Sequence, residues 1–117
     1  MSRRTLLPLC SLALLLCSCA TSIHYTKAAD DRTAKPLDFK VQVFEKTDSV
    51  QAKYTLLGLI SVDDNGFTTD CAYDVVIAKA KERARAVGAD AIKIIQHDKP
   101  DLFSSCHRIK VLAISFD

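Results

Sequence analysis

The sequence has no tryptophan, a single methionine, and only three glycines and three prolines in 117 residues. So little glycine and proline excludes a collagen-like or linker-like chain, and 49% hydrophobic with 26% charged residues excludes a disordered one. Charge of one sign is also lacking: 16 basic residues face 14 acidic ones, and Arg3 and Arg4 account for the whole excess. Without a basic surplus the chain does not carry the footprint of a nucleic-acid binder. No C-x-x-C, H-x-x-x-H or D-x-D-x-D-G spacing occurs, so the common zinc and calcium signatures are missing. At this length the chain holds one globular domain at most.

An export signature opens the chain. A short basic start (Ser2, Arg3, Arg4) leads into an apolar run of eleven residues from Leu6 to Leu16, followed by Cys17, Ser18, Cys19 and Ala20. A spanning helix needs about 20 apolar residues, so this run is expected to be a cleaved signal peptide. Leu16-Cys17-Ser18-Cys19 resembles the lipobox of bacterial lipoproteins, in which a leucine three before and a small residue just before a cysteine direct lipid to its sulfur. Cys19 fits, whereas bulky Leu16 precedes Cys17. The resemblance implies a protein anchored to the membrane through acyl chains on Cys19. With Ala20 rather than aspartate after that cysteine, it also implies the outer membrane, facing the periplasm.

Residues 20–38 mix polar and small residues without an apolar period and read as a flexible tether, with Ile23, His24 and Tyr25 as a possible short docking strand and His24 in solvent. The domain is expected over 39–117. Phe39, Val41 and Val43 alternate with Lys40 and Gln42 and predict a first strand. Tyr54 to Val62 is apolar on both faces, Leu57 and Leu59 on one, Leu56, Ile60 and Val62 on the other, as in a central strand. Asp63-Asp64-Asn65-Gly66 reads as a turn. Tyr73, Val76, Ile77, Ala80, Ala84 and Val87 recur at helical spacing from about Ala72 to Val87, with Asp70 or Thr69 to cap the start and Gly88 to end it. Ala91 to Gln96 and Arg108 to Phe116 predict two further strands around an Asp98–Asp101 loop. The expected fold is α+β, β-β-α-β-β: a four-stranded mixed sheet, one helix on one face, with strand-helix-strand forming a parallel crossover. One helix leaves the other sheet face open for the tether, a second subunit or a partner.

With Cys10 and Cys17 lost with the leader and Cys19 acylated, Cys71 and Cys106 remain. Outside the cytoplasm an even pair in a domain of about 80 residues points to a disulfide. Three other chemistries use the same residues: a metal site from Cys71, Cys106, His97 and His107, a redox thiol at Cys71, and Cys-His nucleophilic catalysis. Asp63, Asp64, Asn65 and Asp70 offer oxygen ligands but not the calcium-loop spacing. Lys79, Lys81, Arg83 and Arg85 read as the solvated basic face of the helix, with headgroups or wall polymers as the alternative contact.

Gly66-Phe67-Thr68-Thr69-Asp70-Cys71, Val87-Gly88-Ala89-Asp90-Ala91-Ile92-Lys93-Ile94 and Ser104-Ser105-Cys106-His107-Arg108-Ile109 resemble segments of a group of bacterial envelope lipoproteins without assigned activity. More distantly, the order over residues 54–116 is similar to the family of the Rcs-phosphorelay outer-membrane stress-sensor lipoprotein, and to the small α/β proteins described as heavy-metal-binding. The stress sensor has four cysteines in two disulfides, where only Cys71 and Cys106 are available here. The resemblance implies a non-enzymatic, disulfide-braced interaction or stress-sensing module, without cofactor, that contacts an envelope protein or a second copy. The alternative is a metal-binding or metal-sensing module.

Overall fold

The structure is a computed structural model that describes residues 22–64 and 71–117. The expected signal peptide, the expected lipidation site Cys19, and Asn65, Gly66, Thr69 and Asp70 lie outside the described residues.

Strands β1 (Ser22–Lys27), β2 (Gln42–Phe44), β3 (Tyr54–Asp63), β4 (Ala91–Asp98) and β5 (Arg108–Phe116) form one mixed sheet in the order β1-β3-β5-β4-β2, with helix α1 (Tyr73–Ala86) between β3 and β4 in sequence. The sheet therefore has five strands where four were expected. The additional strand, β1, comes from the stretch read as tether and pairs antiparallel with β3 from Ser22↔Asp63 to Lys27↔Gly58. Gly58 permits this pairing. A Cβ there would stand 2.6 Å from the Tyr25 ring, so the bare backbone accommodates the ring, whose hydroxyl donates to the Leu57 carbonyl at 3.1 Å.

The rest of the supposed tether is also held. Ala28 and Ala29 N–H groups donate to the Leu57 carbonyl, and Arg32 and Lys35 N–H groups donate to the Val87 and Arg85 carbonyls. The last two bonds reach carbonyls at the C-terminal end of α1, where the helix supplies few donors, and the Arg85 carbonyl also accepts from the Gly88 N–H. Gly88 ends α1 with φ +80, as its position predicted, and Arg32 and Thr33 pass so close that a Cβ there would meet their backbone at 2.6 Å. The helix start differs from expectation. Its N-cap is Ala72, which makes no side-chain capping bond.

The expected crossover is present in split form. β3 and β4 both run antiparallel to β5, which lies between them, so they are parallel to each other without pairing. The paired parallel strands are β2 and β4, and β2 begins at Gln42 rather than Phe39, whose N–H closes a turn on Pro36. Val76, Ala80 and Ala84 of α1 pack on one sheet face against Leu57, Ile60, Val62, Ile92, Ile94, Ile109 and Val111.

The facing of β3 departs from strict alternation. A bulge between Leu56 and Gly58 makes Leu57 the extra residue and places it in the core with Ile60 and Val62, while Leu56 is 39% exposed and Leu59 half-buried on the far side. A second bulge, between Ile94 and Gln96, turns Ile95 outward at 37% exposure.

Candidate functional site

Two features stand out on this scaffold: a side-chain cluster at the start of α1 and the sheet face that α1 does not cover.

Cys71 and Cys106 are joined by a disulfide, with Cα atoms 5.1 Å apart. Both are buried, and the bond ties the residue before the α1 cap to the entry of β5, where the His107 N–H also donates to the Cys71 carbonyl at 3.2 Å. The disulfide leaves α1 with a covalent brace at the end that has no side-chain cap.

Beside this brace the His97 Nε2 and His107 Nδ1 atoms are 2.9 Å apart. Tyr73, the first residue of α1, lies against both rings, at centroid distances of 4.7 and 5.8 Å, and its hydroxyl donates to the Glu45 carboxylate at 3.4 Å. One imidazole donates and the other accepts, so the contact cannot survive protonation of both. Burial, the facing His107 and nearby Lys99 hold His97 below the ordinary histidine pKa. Burial and the Glu45 carboxylate likewise raise the Tyr73 phenol.

Of the four residues weighed as metal ligands, then, the fold brings His97 and His107 together but commits both sulfurs to each other. A disulfide sulfur is not a thiolate, so the four-donor set is not available while the bond stands. Among the described residues no group of three or more His, Cys, Asp or Glu converges as a metal site. The disulfide equally withdraws Cys71 as a redox thiol or nucleophile. The calcium candidates divide: the Asp63 carboxylate accepts from Ser61 and the Asp64 carboxylate from Ser104, while Asn65 and Asp70 lie outside the described residues.

The basic face of α1 is less solvated than expected. The Arg85 Nε donates to the Phe39 carbonyl at 2.9 Å, and the Arg83 guanidinium lies 5.1 Å from the Tyr25 ring. His24 is exposed on β1, as expected.

The Asp90 role was missed at sequence level. Its carboxylate accepts from the Phe116 N–H at 2.8 Å and the Ser115 hydroxyl at 3.3 Å and pairs with Lys35 at 3.0 Å, while its backbone bridges Gln42 and Ile114. Burial pushes its carboxyl pKa up, but the Lys35 and Phe116 bonds outweigh this and hold it below the usual value. The only signal was its place after Gly88, where a chain reversal needs side-chain acceptors.

On the far sheet face, Leu56 and Tyr54 are about 40% exposed and Leu59, Leu112, Phe44 and Phe116 are partly so. Phe44 meets Phe116 edge-to-face at 6.4 Å. Among the described residues no helix covers this side. Compared with known protein families, curated proteins and solved structures, the chain has no match.

Proposed function

We propose that the chain is a non-enzymatic lipoprotein of the bacterial envelope, anchored through Cys19, whose disulfide-braced domain is an interaction or stress-sensing module. The observation that carries this reading is the sheet face opposite α1: the connection after β2 lies against its β4 side, where Lys93 donates to the Glu45 and Lys46 carbonyls, but Tyr54, Leu56, Leu59 and Leu112 remain partly exposed and offer an apolar contact surface rather than a reaction site. The Cys71–Cys106 disulfide supports it, because such bonds persist where export delivers proteins. A photocrosslinker at Leu56 of the exported protein tests it. The expected result is an adduct of one defined mass, a second copy or a single partner, that disappears with Leu112→Asp. No adduct, together with a strictly monomeric protein, would end this reading.

A metal-binding module is the competing reading, and the convergence of His97 and His107 to 2.9 Å favours it. It requires zinc or copper to raise the melting temperature of the oxidised protein and His97→Gln to abolish the effect.

A further inference from the structure

We infer that the β4–β5 turn carrying Leu102 and Phe103 is a membrane-contacting tip that rests in the same leaflet as the lipid on Cys19. The inference rests on the anchor reading above and adds the surface that meets the bilayer.

Ser22, the first residue of β1, stands opposite Asp63, the last of β3; Val62 stands opposite Ile109; and Arg108 stands opposite Asp98, the last of β4. The start of β1 and the connection over residues 99–107 therefore leave the same end of the sheet. Only Ala20 and Thr21 separate Cys19 from Ser22. Three residue steps span at most about 11 Å, which is comparable to the headgroup layer of one leaflet, about 5 to 8 Å thick. An acylated Cys19 thus holds this end of the sheet against the bilayer, because β1 takes up the chain that would otherwise have been a long tether.

This end presents two large apolar side chains. Leu102 is 100% and Phe103 95% exposed, the two most exposed large apolar residues described. They are fixed in that position. The Asp101 carboxylate accepts the Phe103 and Ser104 N–H groups at 2.9 Å, the Asp101 N–H donates to the Ser104 carbonyl at 2.8 Å, and the Arg108 guanidinium donates to the Asp101 carboxylate at 3.0 Å and the Lys99 carbonyl at 3.2 Å. The turn is built from polar contacts that leave its two large apolar side chains pointing away from the domain. Adjacent strands are about 4.8 Å apart, so β5 lies about 10 Å across the sheet from β1, within one lipid footprint of the anchor.

Charge decides the kind of lipid surface. Among the described residues at this end, Asp63, Asp64, Asp98 and Asp101 outnumber Lys99 and Arg108, so anionic headgroups do not draw it in. The contact is hydrophobic, and zwitterionic lipid suffices. With its end on the bilayer, the sheet stands upright and its open face meets only partners close to the membrane.

The chain has no tryptophan, so Phe103→Trp in the full-length acylated protein installs a single fluorophore at the tip. Tyr54→Trp is the control, nine residues along β3 from Asp63 and about 30 Å from the anchor end. In phosphatidylcholine vesicles with brominated acyl chains, the Phe103→Trp protein should show blue-shifted emission and strong quenching, insensitive to high salt, and the Tyr54→Trp protein neither. An acylated protein that floats with vesicles but leaves the Phe103→Trp emission unquenched overturns the tip contact alone, as do equal quenching of both proteins and tip-to-tip crosslinking of two copies without quenching. A protein without acyl mass that stays off vesicles overturns the anchor reading, and the tip contact with it.

Discussion

Replacing Cys71 and Cys106 by alanine removes a link between positions 35 residues apart. In the chain-entropy treatment, closing a loop of that length lowers the entropy of the unfolded chain enough to stabilise the fold by about 4 kcal/mol. A domain of this size is stable by about 5 to 13 kcal/mol in total, so the double variant should lose between about 30% and about 80% of its stability. The perturbation acts mainly on the unfolded chain. In the folded state the start of α1 keeps the Val76 N–H to Ala72 carbonyl bond and the His107 N–H to Cys71 carbonyl bond, and neither needs the sulfurs. Far-UV circular dichroism of the two folded proteins should therefore overlay. Urea unfolding should show a lower midpoint, and the melting temperature should fall by about 15 to 30 °C. The wild type in the presence of a dithiol reductant should behave as the variant does. If the two proteins unfold within about 1 kcal/mol of each other, the disulfide is not the brace of this domain.

Three further outcomes follow from the packing and electrostatics. Gly58→Val drives a side chain into the Tyr25 ring and the Thr26 carbonyl, both 2.6 Å from a Cβ at that position, and should cost about 1 to 3 kcal/mol and expose the Ile23–Lys27 amides to hydrogen exchange while β3, β4 and β5 stay protected. Because the folded pKa of His97 lies below its ordinary 6.5, the unfolded chain binds more protons, so stability should fall as pH drops through about 6.5 and level off below the folded value; His97→Phe should flatten that slope in pH-dependent melts. Asp90→Ala removes three contacts and should cost about 1 to 3 kcal/mol at pH 7, and since the Asp90 pKa is depressed, the gap to wild type should close in acid as pH falls through the folded value.

What the sequence determined by itself is what local chemistry decides. The α1 stripe of Val76, Ala80 and Ala84, its stop at Gly88, the span of β5 from Arg108 to Phe116 and the partnership of Cys71 with Cys106 follow from period, backbone freedom and parity, and each is found where it was expected. Tertiary structure decided the rest. Ile23, His24 and Tyr25 offered a short docking strand, but β1 is six residues long and sends few side chains inward, so its full span and its place at the sheet edge come from pairing with β3 and from the gap above Gly58, more than thirty residues away. The bulges that send Leu57 into the core and Ile95 out of it break a two-residue period that reads without interruption along the chain. The meeting of His97 with His107, the three-way hold of Asp90, and the placement of Leu102 and Phe103 at the end where β1 begins all arise from strand order. Pairing between distant segments is selected by how whole surfaces fit, and no window of neighbouring residues contains that information.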